Sequence, residues 1–88
     1  EGTDQLLKRV ALEKKKLKLT NREGILIKIS KINQSNNTDN PVIGPKTILN
    51  AVKANLNGIA IKKINTIVFN KSKIIKMLNE NNLNLYFI

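Results

Sequence analysis

The chain has 88 residues, 16 Lys and Arg against 6 Asp and Glu, a net charge of +10, and neither Cys nor His. That length is one domain burying roughly 60 to 65% of its unfolded surface, and the missing residue types remove disulfides, thiolate nucleophiles, imidazole bases and the usual transition-metal ligands. A polyanion is the partner such a charge attracts, nucleic acid first and anionic membrane second, and no apolar run reaches the ~18 residues of a spanning helix.

In chain order, Thr3-Asp4 caps a predicted helix to about Leu17, with Leu6, Leu7 and Val10, joined by Ala11 and Leu17, on one side. Its second half, Glu13 to Lys18, carries four lysines in five residues, which suit either a solvated helix end or a basic arm along a phosphate backbone. A turn, Thr20 to Gly24, leads to a strand from Ile25 to Ile32. Ile25, Ile27 and Ile29 share the face expected to pack, and Leu26, Lys28 and Ser30 the face expected to be partly wet. NQSNNTDN, residues 33–40, has no apolar residue and reads as a polar loop.

Pro45 suits the first turn of a second helix, and Asn57-Gly58 offers a residue of positive φ at its end. Ile48, Leu49, Val52 and Leu56 form its apolar stripe, leaving Lys46, Asn50, Lys53 and Asn57 on a wet, basic side. Residues 59–69 read as one strand with a bulge near Lys62-Lys63. Asn70 or Ser72 caps a third helix carrying Ile74, Ile75 and Leu78, and Leu83 to Ile88 alternates as a closing strand. The expected architecture is α/β: a ferredoxin-like β-α-β-α-β domain over residues 24–88, behind an N-terminal basic helix over residues 1–23.

The first strand with its lysine (Leu26-Ile27-Lys28-Ile29-Ser30), Ile43-Gly44 entering the helix, the turn Leu56-Asn57-Gly58, the pair Lys62-Lys63 and the segment Ile64 to Val68 together resemble the L-thirty family of large-subunit ribosomal proteins. Two departures are the insertion at 33–40 and Pro45, where that family often has a basic residue. The resemblance implies a structural constituent of the ribosome, not an enzyme, with ribosomal RNA and neighbouring ribosomal proteins as partners and no cofactor or metal. Its contacts would be Lys28, Lys31, Lys46, Lys53, Lys62 and Lys63, with Arg9, Lys14, Lys15, Lys16 and Arg22 as the arm. A start at Glu1 rather than Met, with the added helix, leans toward a mitochondrial or other organellar ribosome over a cytoplasmic one.

Catalytic groups are not evident in the sequence, because the six acids are scattered over a terminus, helix ends and loops, and the serines have no histidine to activate them. Gly44-Pro45-Lys46-Thr47 reads as a helix start, since a phosphate loop needs a backbone N–H where proline stands. The alternative is a small interaction module of a secretion-type assembly that pairs through strand edges, at 25–32 or 83–88. A third fit, a basic amphipathic helix on anionic lipid, would use Leu6, Leu7 and Val10 with Lys14 to Lys18.

Overall fold

The computed structural model describes residues 2–29, 31–32, 38–62 and 66–88. Helix α1 (Thr3–Lys16) is followed by β1 (Ile25–Lys28), β2 (Lys31–Ile32), β3 (Thr38–Asp39), β4 (Val42–Ile43), α2 (Pro45–Lys53), β5 (Gly58–Ile61), β6 (Ile67–Val68), α3 (Lys71–Asn81) and β7 (Asn84–Phe87). The α/β reading, with β-α-β-α-β succession behind a basic helix, is the architecture observed. Its main sheet has the order β1-β5-β7, and both pairings are parallel. Two small pairs complete it, β2 with β3 antiparallel and β4 with β6 parallel.

Strand β5 is central, and all four of its residues are buried. Ile59 and Ile61 meet Ile48, Ala51 and Ala54 of the α2 region and Ile74 and Leu78 of α3, so the helices cover one face of the sheet. Helix α1 packs on α2 and sends Leu7 into the same core, with Leu6, Val10 and Ala11 against its margin. Among the described residues no helix is long and apolar enough to cross a membrane.

Several local expectations are corrected. The register pairs Leu26 with Ile59 and Lys28 with Ile61, which puts Leu26 and Lys28 on the helix side. Leu26 is 7% exposed and Ile27 60%, so the isoleucines of β1 lie on the open face and the core takes the opposite phase. Alternation identifies the two faces of a strand, but a parallel strand can be apolar on both, and the helices decide which is covered. The positive φ after α2 belongs to Asn55 (φ 58°) rather than Gly58. Gly58 is required for space: a Cβ there would stand 2.7 Å from the Asn84 carbonyl oxygen and 2.8 Å from the Tyr86 ring.

The expected strand over 59–69 is two strands, because β6 leaves the main sheet to pair with β4; the supposed bulge reaches Lys63, outside the described residues. The polar loop is also partly ordered by β3 pairing back on β2, while residues 33–37 lie outside the described set. In α2, Leu49 is exposed and Asn50 buried, the reverse of the stripe. Two helices flank α2, and Ala51 and Ala54 are small enough to let them approach.

The inverted phase of β1 has a direct consequence for stability. Leu26→Ala should lower the free energy of unfolding by about 2–4 kcal/mol through the cavity it leaves. Ile27→Ala, on the open face, should cost less than about 1 kcal/mol. Urea titration of the two variants checks the assignment, and equal losses would contradict it.

Candidate active site

Parallel strands present their C-terminal ends to a common edge, where α/β proteins bind ligands beside the helix N-termini. Here that edge is the row Lys28, Ile61 and Phe87, which are register partners across β1, β5 and β7. Lys28 is half-buried, and its Nζ donates to the Val42 carbonyl oxygen at 2.6 Å, tying β1 to the strand that leads into α2. Burial holds its ammonium below the usual lysine pKa, and the Asp4 charge partly opposes that shift.

Asp4 sits in the first turn of α1, where a carboxylate is favoured by the helix dipole. Its Oδ1 accepts from Asn50 Nδ2 at 2.9 Å, and its Oδ2 lies 3.3 Å from Lys46 Nζ in the first turn of α2. The Asn50 hydrogen bond, then Lys46, with a smaller contribution from Lys8, holds the carboxyl below its ordinary value against the opposing effect of burial. An acid so placed is ionised and weakly basic at neutral pH, so its part is to hold Lys46 and join α1 to α2. The net charge of Asp4, Lys28 and Lys46 together is +1, so the corner attracts an anion.

Next to this polar corner lies an apolar one. A cavity of about 310 Å³ is lined by Ile43, Ile61, Val68, Ile75 and Phe87, with Lys71 at its margin. Ile61 and Phe87 belong to the same strand-end row as Lys28, and Ile43 directly precedes the Gly44 cap of α2.

Of the residues expected to touch RNA, Lys28 and Lys46 meet at this site. Lys14 and Arg22 are at the opposite end, where they serve the fold. Lys14 Nζ donates to the carbonyl of Glu23 and, at 2.8 Å, to that of Asn55; Arg22 donates to the carbonyls of Leu56 at 3.4 Å and Asn82 at 3.0 Å. The carbonyls of Asn55, Leu56 and Asn82 follow α2 and α3, where cations oppose the negative helix ends. Lys16 pairs with Glu13 at 3.7 Å, while Arg9, Lys15, Lys53 and Lys62 lie exposed, Lys62 directly after Ile61 of the strand-end row. The Lys31 side chain and Lys63 fall outside the described residues. Asp4 and Asn50 were missed because their contact spans 46 positions and no local pattern marks it.

The model of the LpxI C-terminal domain matches residues 1–86. The chain belongs to that family. No curated protein matches it. The LpxI family is a UDP-2,3-diacylglucosamine pyrophosphatase of bacterial lipid A biosynthesis. This overturns the ribosomal resemblance, and with it the non-enzymatic role, the RNA and ribosomal-protein partners and the ribosomal or mitochondrial location; the secretion-type module is not supported either. The physical reason is that β-α-β-α-β order, scattered lysines and a glycine-proline helix start occur in many basic α/β domains. In this LpxI domain two of the expected contacts, Lys14 and Arg22, serve as intramolecular clamps.

The Asp4 contacts make a pH prediction. A carboxyl with a lowered folded pKa adds stability that is present above its unfolded value of 3.8 and is lost as pH falls through the folded value. Asp4→Asn should therefore flatten the acid limb of the stability profile below about pH 4. Thermal melts from acid to neutral pH check this; an unchanged acid limb would contradict it.

Proposed function

We propose that this domain takes part in hydrolysis of a UDP-2,3-diacylglucosamine substrate, with the strand-end row Lys28, Ile61 and Phe87 as its binding edge. In such a reaction water adds to one phosphorus of the diphosphate, the bridging P–O bond breaks, and two products each leave with a terminal phosphate. Lys28 and Lys46 would neutralise the diphosphate, while Asp4 and Asn50 keep Lys46 in place. The cavity under Val68, Ile75 and Phe87 would receive part of an acyl chain. The observation that carries this reading is one row of residues with a half-buried lysine at one end and an apolar cavity at the other. It is the polarity pattern of a ligand with both a diphosphate and a hydrocarbon tail.

Titration of the chain with UDP-2,3-diacylglucosamine and with its deacylated analogue tests both halves separately. Lys28→Gln and Lys46→Gln should each weaken both ligands by about tenfold or more, the value of a charge-assisted contact. Ile75→Gln with Phe87→Gln should weaken only the acylated ligand. Unchanged affinity in the lysine variants would overturn the assignment.

A further inference from the structure

At the far end of α1 from Asp4, three leucines stand in water within eight positions: Leu12 is 60%, Leu17 66% and Leu19 48% exposed. Single exposed leucines are ordinary, but Leu12 and Leu19 share one surface with Lys15, Lys18 and Lys53 around a hollow of about 510 Å³ whose floor is apolar. The acid on this part of α1, Glu13, is paired with Lys16, so the field is cationic. Lys14, which also lines the hollow, donates to the carbonyls of Glu23 and Asn55. A second hollow of about 350 Å³ continues along the α1–α2 groove past Leu7, Lys8 and Leu12 to Asn50, whose amide holds Asp4.

We propose that the surface formed by Leu12 and Leu19 with Lys15, Lys18 and Lys53 docks the domain on an anionic lipid bilayer. The leucines supply shallow insertion into the headgroup boundary, and the lysines supply attraction to the lipid phosphates. The amphipathic residues visible in the sequence, Leu6, Leu7 and Val10, are not the ones used, because all three pack with the protein core. A polyanion without an apolar layer would leave Leu12 and Leu19 unpartnered, so the combination favours a membrane over a free phosphate ligand.

The test is co-sedimentation of the 88-residue chain with vesicles of phosphatidylcholine alone and of phosphatidylcholine with phosphatidylglycerol. Binding should require phosphatidylglycerol and decline with salt. Changing Lys15, Lys18 and Lys53 together to Gln should lower partitioning about a hundredfold, given roughly fivefold for each lysine near the surface. Changing Leu12 and Leu19 together to Ser leaves the charge unaltered and should still lower it by at least about tenfold. Circular dichroism checks that each variant folds, and Leu12→Ser alone, at the more exposed of the two, repeats the leucine test with the least disturbance. No binding to either vesicle, equal binding to both, or undiminished binding by folded leucine variants would overturn the proposal.

Discussion

Everything in this domain is referred to four residues, Gly58 to Ile61. They form the one strand of the main sheet with a neighbour on each side, and they are buried on both faces. The constraint is tightest at Gly58, where β7 passes so close that a methyl group would meet a carbonyl oxygen and an aromatic edge. Because that approach is fixed, the register of β7 is fixed, and Leu85 falls opposite Ile59 under the helices. Register with β1 then brings Lys28 level with Ile61 and Phe87. A backbone spacing requirement at one end of the sheet thus sets which side chains share its other end.

The two ends of the helices carry opposite electrostatic tasks. At the N-terminal ends of α1 and α2, Asp4, Asn50 and Lys46 form a linked group that leaves net positive charge beside Lys28. At the C-terminal ends, Lys14 and Arg22 answer carbonyl groups that the helices cannot satisfy. A basic chain of this size therefore divides its cations among clamping the fold, facing the strand-end site and crowding the exposed end of α1. Net charge alone could not separate these uses, which is why +10 pointed toward nucleic acid.

Helix positions and the succession of elements were legible in the sequence because caps and apolar periodicity are local. Pro45 stands at the first turn of α2, and Asn70 and Asn82 bound α3 with left-handed backbone at both ends. The burial phase of β1 was not legible, since Ile25, Ile27 and Ile29 are more apolar than Leu26 and Lys28, yet the helices lie on the other side. Asn50 was assigned to water because the stripe was counted from large residues only; Ala51 and Ala54 marked the approach of a neighbouring helix. Of the site, Lys28 and Lys46 were named as phosphate-facing cations, but Asp4 and the apolar cavity depend on contacts between distant segments. The family could not be reached from these residues because the features that suggested a ribosomal protein describe a fold class and a charge, and neither is specific to a chemistry.

The most direct measurement is backbone amide shift mapping of the chain titrated with UDP-2,3-diacylglucosamine in the absence of vesicles. The account predicts changes centred on Lys28, Gly44, Lys46, Ile61 and Phe87, the residues at and beside the strand-end row, with the surface around Leu17 and Lys18 unaffected. Changes confined to the open face at Ile25 and Ile27, or none at ligand concentrations that saturate the family's substrate site, would contradict it.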